Sequence, residues 1–117
     1  DSFMTLDIAE FYQTFFDEAD ELLDEMERLL IDLDLCAPDG EQVAAIFRAA
    51  HSIKGGAGTF GFTCLQDTTH RLENLLDRAR HGELLLDRSS VDVFLACRDV
   101  LKGQIDQLKL AIEKLLI

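Results

Sequence analysis

Apolar residues recur at intervals of three and four residues over four long stretches of this 117-residue chain. That spacing places them on one side of an α-helix, whose turn takes about 3.6 residues. A helix with one apolar stripe needs another element against which to bury it. No useful length of sequence alternates apolar and polar residues, as a half-buried strand would. The sequence therefore predicts an all-α fold in which four amphipathic helices cover one another's stripes.

Local signals set the predicted ends of these helices. Asp7 and Glu10 have the spacing of a capping box at the start of the first helix. Thr63 and Gln66 repeat that spacing at the start of the third, and Asp39 is suited to cap the second. Glycines after residue 54 lower the helix propensity, so the second helix is predicted to end near residue 56. The predicted helices cover about residues 8–34, 41–56, 63–81 and 89–110 or beyond.

The fourth stretch carries the most regular pattern. Its apolar residues repeat every seven positions in two rows, with Arg98 as the one interruption, and such rows form the seam between packed helices. Short connectors between the stretches imply that consecutive helices run antiparallel. The predicted fold is an antiparallel up-down four-helix bundle, one domain over residues 1–117, with an extra C-terminal helix or extension as an open alternative. The two rows are Phe94, Leu101, Leu108 and Leu115, and Val91, Ile105 and Ile112.

Acidic residues are concentrated at the start of the chain. Residues 1–34 hold 12 Asp and Glu and a single basic residue, Arg28, and so account for most of the net charge of -12. We interpret them as an exposed face of the first helix, which is either only solvated or also orients partners through its charge. Because no basic stripe is available to neutralise phosphates, binding to DNA or RNA is disfavoured.

Composition also restricts the cellular compartment. No apolar run approaches the roughly 18 residues of a transmembrane helix, and no signal-peptide pattern is present, so no membrane association is expected. Cys36, Cys64 and Cys97 are odd in number and far apart, which argues against a disulfide framework or a zinc site. We expect these cysteines to be reduced and the protein to be cytoplasmic.

One histidine lies on an unusual face of the second helix. His51 is followed by Lys54 three residues on and by Gly55 four residues on, so the three share one side. Arg48 precedes the histidine on the same side, and two flanking cations favour a developing phosphoryl anion. Glycine leaves room for another protein to approach. The pattern therefore favours a histidine that accepts a phosphoryl group and passes it on, with Arg48, Gly55 and Gly56 facing a partner.

The glycine-rich stretch of residues 56–61 matches the pattern GxGxxG. A dinucleotide site needs a strand before this pattern and a helix that opens on it, whereas here a helix precedes it. The GK[ST] of a phosphate-binding P-loop is also missing. Nucleotide binding is therefore not predicted. The glycines are interpreted as the end of the second helix, with Phe60 and Phe62 packed at the end of the bundle.

A second polar pair lies on the third helix, where His70 and Glu73 share a face. Glu73 is either the acceptor of a hydrogen bond from Nδ1 of His51, which would leave Nε2 as a nucleophile, or an ordinary solvated carboxylate. His70 is either a surface residue or a second hydrogen-bond partner. A metal site built from these three residues is disfavoured, because di-metal carboxylate bundles use two Glu-x-x-His pairs and further glutamates.

Three blocks of the sequence resemble one known family. Residues 51–56 read HSIKGG, which resembles the phosphorylation motif of histidine phosphotransfer (HPt) domains. Within that family the chain is most similar to the N-terminal phosphotransfer domain of chemotaxis histidine kinases. The resemblance covers about residues 7–108 and is carried, in the same order, by residues 10–23, 45–63 and 69–77.

The resemblance implies a role for each candidate residue. His51 is the residue that the catalytic domain of the same kinase phosphorylates, usually on the partner subunit of a dimer. Glu73 forms a hydrogen bond with His51 and tunes it. Lys54 and His70 belong to the same polar network, with Lys54 near the phosphoryl group. The phosphoryl group then moves to an aspartate of a response regulator of the CheY or CheB type.

The resemblance also implies a division of labour between domains. ATP and Mg²⁺ are bound by the kinase and regulator domains, so this domain is expected to hold no cofactor and no metal, and to be a phosphoryl carrier and substrate instead of an enzyme in its own right. As an isolated domain it is expected to be a monomer, since four apolar faces satisfy one another. The alternative is a helical interaction module in which His51 is incidental, and a stable homodimer through the last helix would favour it.

Overall fold

The computed structural model describes the backbone of residues 2–116 and the side chains of residues 7–116. Within these residues the chain forms helices and no strand, which confirms the predicted all-α class. Asp1 and Ile117, at the two ends of the predicted domain, lie outside the described residues. The helices are α1 (Ser2–Asp32), α2 (Gly40–Phe60), α3 (Thr63–Arg80) and α4 (Arg88–Leu116).

The four helices pack in a ring, in which α1 and α3 each contact both α2 and α4. Ion pairs between α1 and α4 fix the relative direction of these two helices. Nζ of Lys102 lies 3.0 Å from Oδ1 of Asp20, whereas Nη2 of Arg98 lies 3.2 Å from Oδ1 of Asp24, so positions rise along α1 as they fall along α4. The predicted antiparallel up-down bundle is confirmed, and it measures 56 × 21 × 19 Å. None of the helices within residues 2–116 combines the length and the apolar character that a membrane span needs.

The apolar stripes of all four helices meet in one core. Burying each large side chain stabilises the fold by about 1.5–3 kcal/mol before the entropy cost of ordering it. The side chains with at most 1% of their surface exposed include Leu23, Met26, Ile46, Ile53, Leu72, Leu76, Phe94, Leu101 and Ile105.

Arg98, the interruption in the seam of α4, is buried and has partners. Its Nε donates to the backbone oxygen of Leu23 at 3.2 Å, and its guanidinium also pairs with Asp24 on α1 and with Asp99. A buried charge is tolerated only when it is paired and hydrogen-bonded. This arginine therefore ties α4 to α1 at a position where the pattern alone predicts an apolar contact.

Both predicted capping boxes were wrong, and α1 begins earlier than predicted, whereas α3 begins at Thr63 as predicted. α1 begins at Ser2, so Asp7 and Glu10 lie inside the helix and form no capping box. No glycine or proline interrupts residues 2–7, so the helix continues through them. At α3 the residue before the helix is Phe62, with no side-chain cap, because the tight turn at Gly61 (φ 73°) already makes Thr63 the first helical residue.

The other helix ends follow local hydrogen bonding. Asp39 caps α2 as predicted, accepting from the backbone nitrogen of Glu41 at 2.9 Å. At the start of α4, Asp87 and Ser90 form a reciprocal capping box that the sequence analysis missed by taking Ser89 as the first residue. α4 then runs unbroken to Leu116, well beyond residue 110.

α2 continues through its glycines to Phe60, four residues past its predicted end. Tertiary packing outweighs the low helix propensity of the glycines here, because Phe60 and Phe62 close the end of the bundle as predicted. They lie against the rings of Tyr12 and Phe15, with ring centroids 5.2 to 5.8 Å apart. Such aromatic contacts add to the stabilisation that burial alone provides.

Candidate functional site

His51 lies in the middle of α2 with 62% of its side chain exposed. Its Nδ1 is 3.0 Å from Oε1 of Glu73, which projects from the buried face of α3. An ionised carboxylate only accepts hydrogen bonds, so Nδ1 carries the proton and donates it. In the neutral imidazole this leaves the lone pair on Nε2 free. Of the two alternatives for Glu73, the structure therefore shows the hydrogen-bonded one.

Lys54 completes this polar group from one turn further along α2. Its Nζ lies 2.7 Å from Oε2 of Glu73, and only 22% of its side chain is exposed. Burial raises the pKa of Glu73, but the hydrogen bonds from Lys54 and His51 outweigh burial, and the pKa lies below its ordinary value of 4.5. Glu73 is thus ionised at neutral pH, with one oxygen for each partner.

Two other predicted site residues lie apart from this group. His70 is exposed, and within residues 7–116 it forms no hydrogen bond or ion pair with His51 or Glu73. Nη2 of Arg48 lies 2.7 Å from Oε1 of Glu41 at the start of α2, and both side chains are largely exposed. An exposed pair of this kind is weak, so Glu41 leaves Arg48 free to change partner.

The two glycines after Lys54 differ in their surroundings. A Cβ atom at Gly55 would meet nothing within 4 Å, which agrees with a surface open to a partner. A Cβ atom at Gly56 would lie 2.5 Å from Cε1 of Phe15, in the interface with α1. Both glycines were predicted to face a partner, but the structure gives Gly56 a packing role, because only glycine lets α2 approach this ring so closely.

An aromatic side chain, Phe47, lies beside His51 and was not among the predicted site residues. The rings of Phe47 and His51 are nearly parallel, with an interplanar angle of 12° and centroids 6.2 Å apart. Cζ of Arg80, at the end of α3, lies 4.3 Å from the centroid of Phe47. The spacing of Phe47 and His51, four residues apart, was the available signal.

The chemistry of the site is that of an oriented nucleophile at the surface. A ring nitrogen with a free lone pair is exposed, and a buried carboxylate holds the opposite side of the ring. Among residues 7–116 no group of three or more His, Cys, Asp and Glu side chains has the arrangement of a metal site. The exposed Nε2 can therefore attack an electrophile that another molecule presents.

A helical bundle that presents one histidine in this way is typical of histidine phosphotransfer domains. A family model described as the Hpt domain matches residues 10–115, and the chain belongs to this family.

Comparison with curated proteins narrows the resemblance. The chain is 61% identical over 106 residues to the chemotaxis protein CheA of Salmonella typhimurium, and 59% identical over 106 residues to that of Klebsiella aerogenes. Each match covers 91% of this chain but 16% of the relative. The chain thus spans about one sixth of the length of the curated relatives that it matches.

Two solved structures share the fold. The CheA phosphotransferase domain from Thermotoga maritima superposes with a TM-score of 0.78 at 34% identity, over 85% of this chain and 94% of that domain. The phosphorylated P1 domain of CheA3 from R. sphaeroides, solved in complex with CheY6, has a TM-score of 0.72 at 23% identity, over 90% of this chain and 97% of that one. At that identity the second likeness supports the fold alone.

Proposed function

We propose that this chain is the phosphotransfer domain of a chemotaxis histidine kinase, and that His51 is its phosphoryl acceptor. The observation that carries the proposal is the geometry of His51, whose ring is exposed while its Nδ1 donates to the buried carboxylate of Glu73. Membership of the Hpt family and the similarity to CheA proteins support the same function.

The proposed reaction has two balanced steps. In the first, the lone pair on Nε2 of His51 attacks the γ-phosphorus of ATP held by the kinase catalytic domain, an N–P bond forms, and the bond to ADP breaks with its electron pair on the ADP oxygen. In the second, an aspartate oxygen of a response regulator attacks the phosphorus, and the electron pair of the N–P bond returns to Nε2. The phosphoryl group is thereby carried without a net change in the domain.

Glu73 and Lys54 support the first step from behind the ring. While phosphorus bonds to Nε2, positive charge develops on the imidazole, and the ionised carboxylate at Nδ1 stabilises that charge. The same hydrogen bond keeps the proton on Nδ1, so the tautomer with a free Nε2 is the one present before attack. Lys54 pairs with the other oxygen of Glu73 and so keeps the carboxylate positioned against Nδ1 of His51.

The proposed partners are the proteins that supply ATP, Mg²⁺ and the acceptor aspartate for the two steps. The domain acts as carrier and substrate, while ATP and Mg²⁺ are supplied by the kinase and regulator domains. The similarity to chemotaxis CheA proteins leads us to propose response regulators of the CheY and CheB types as recipients. The R. sphaeroides neighbour, itself solved in complex with CheY6, shares the fold of this chain. His70, Arg48 and Gly55 are proposed to lie under the bound partner. We also propose a cytoplasmic location, with which the three free cysteines are compatible.

A labelling experiment tests the proposal. The domain is mixed with an active CheA kinase core and labelled ATP, as wild type, as His51→Gln and as His81→Gln, a matched control because His81 is an exposed histidine at the end of α3. We expect acid-labile, base-stable label on wild type and His81→Gln, lost from wild type when a CheY-type regulator is added, and none on His51→Gln. Label that survives on His51→Gln would overturn the assignment.

The oligomeric state tests the alternative of a helical interaction module. Several apolar side chains on α4 are exposed, including Val93, Val100 and Leu110. We propose that the isolated domain is nonetheless a monomer, because the buried stripes of its four helices already cover one another. Light scattering after size exclusion is expected to give the mass of one chain, and a stable dimer that takes up no label would favour the interaction module.

A further inference from the structure

We propose that Phe47, clamped by Arg80, is a positioning residue that sets the plane of the His51 imidazole. This inference deepens the proposed function and rests on it, because it concerns how the accepting nitrogen is aimed. It is argued from three contacts that link the end of α3 to the histidine through one aromatic ring.

Glu73 alone does not fix the imidazole. One hydrogen bond at Nδ1 locates that atom, but the ring can still tilt about the bond, because 62% of the His51 side chain surface is exposed to solvent. A nucleophile is effective only when its lone pair points along the line of attack, and small errors in direction are costly. A second contact is therefore needed to define the direction of Nε2.

Phe47 supplies this second contact. Its ring is one helical turn before His51, lies within 12° of the imidazole plane, and has its centroid 6.2 Å away, within the range of interacting aromatic pairs. Phe47 is itself partly buried, and its packing against the hydrophobic core restricts the orientation of its ring. A tilt of the imidazole would bring its edge toward this fixed ring or open a gap beside it.

Helix α3 holds Phe47 in place. Cζ of Arg80 lies 4.3 Å from the centroid of Phe47, which is the geometry of a cation–π contact. Nη2 of Arg80 is 2.6 Å from Oδ1 of Asp77, one turn earlier on α3. Asp77 is in turn one turn beyond Glu73, so α3 reaches the imidazole twice, at Nδ1 through a carboxylate and at its ring plane through Phe47.

The test compares Phe47→Leu, which keeps an apolar side chain but loses the flat ring, with Phe47→Tyr, which keeps the ring. Phe62→Leu is the matched control, because Phe62 is also a partly buried aromatic residue but lies in the cluster at the end of the bundle. Each variant is assayed for phosphorylation by the kinase core, and the orientation of the His51 ring is measured by NMR from the couplings that report its χ2 angle.

We expect Phe47→Leu to lower kcat for phosphorylation about tenfold with little change in KM, and to shift the χ2 angle of His51 while Nδ1 stays protonated. Phe47→Tyr is expected to restore both values, and Phe62→Leu to lower the melting temperature without changing either. Arg80→Gln, a change at the surface that leaves the core intact, is expected to lower kcat about twofold to fivefold.

Two results would overturn the inference. One is a wild-type kcat and His51 spectrum in Phe47→Leu or, if that variant does not fold, in Arg80→Gln. The other is a loss of kcat in Phe62→Leu equal to that in Phe47→Leu. The NMR measurement needs no kinase, so if wild-type protein takes up no label, the proposed function fails while the positioning of His51 by Phe47 is still decided by the spectrum.

Discussion

Lys54 and His51 share one carboxylate, because Oε2 of Glu73 lies 2.7 Å from Nζ of the lysine and Oε1 lies 3.0 Å from Nδ1 of the histidine. The lysine is therefore already paired before any phosphoryl group arrives. Its first effect is to hold Glu73 ionised and in register, and only through that carboxylate does it act on the ring. Removing Glu73 thus affects both neighbours at once.

The rate of phosphorylation should depend strongly on Glu73. Glu73→Gln keeps the shape of the side chain but removes the charge that supports the imidazole in the transition state. We expect the rate to fall about tenfold to a thousandfold, the usual scale for an orienting or proton-handling partner. A kinetic assay with the kinase core measures this. Glu83→Gln, in the exposed connector before α4, is the control, and an unchanged rate in Glu73→Gln would make Glu73 purely structural.

The free energy of unfolding in acid should depend on the ionisation of Glu73. Because the pKa of Glu73 in the folded protein lies below its ordinary value of 4.5, the folded state holds the ionised form more tightly than the unfolded state does. The resulting stabilisation is fully present above pH 4.5 and is lost as the pH falls through the lower pKa of the folded protein. Urea unfolding of wild type and Glu73→Gln from pH 7 to pH 3 should show the difference between them shrinking toward acid. A difference that stays constant over this range would contradict the assignment.

The two adjacent glycines should respond oppositely to alanine. Gly55→Ala adds a methyl group in open space on a helix and should stabilise the fold by up to about 1 kcal/mol. Gly56→Ala places a methyl group against the buried ring of Phe15, where overpacking costs about 1–3 kcal/mol and exceeds the gain in helix propensity. Thermal and urea unfolding of both variants measure the contrast. Equal effects would mean that Phe15 moves aside freely.

The buried arginine should contribute more to stability than an exposed one on the same helix. Arg98→Met removes a charged donor to the backbone of Leu23, and we expect a loss of about 1.5–3 kcal/mol in the free energy of unfolding. Arg88→Met removes a pair with Asp92 in which both side chains are mostly exposed, and should change stability by less than about 0.5 kcal/mol. Chemical denaturation of the two variants checks this, and comparable losses would refute the structural role of Arg98.

Features local to one helix could be predicted from the sequence. The four apolar stripes, the cap at Asp39 and the shared face of His51 and Lys54 all depend on spacing within a helix, which 3.6-residue periodicity determines. The start of α1 could not be predicted, because no residue before Asp7 marks a helix boundary. The end of α2 could not be predicted, because the helix continues through glycines that tertiary packing stabilises.

Contacts between helices were harder to predict. Whether Glu73 meets His51 depends on how α3 is rotated and shifted against α2, which spacing within α3 does not determine, and only the family resemblance favoured the contact. The cation–π contact of Arg80 with Phe47 also depends on how α3 packs against α2. Arg98 looked like a defect in the seam of α4 because its acceptor is a backbone oxygen on α1, and a backbone atom has no signature in the pattern of side chains.

The exposure of His51 on the outer side of α2 has a kinetic consequence for the proposed role as a phosphoryl carrier. One nitrogen atom on a convex surface can serve a donor and a recipient only in succession, so the two partners exclude each other. Each must leave before the other arrives, and a partner that binds too tightly slows the flow of phosphoryl groups as surely as one that reacts slowly. Weak, short-lived association is therefore a requirement of this design, and an excess of unphosphorylated domain would act as an inhibitor by occupying both partners.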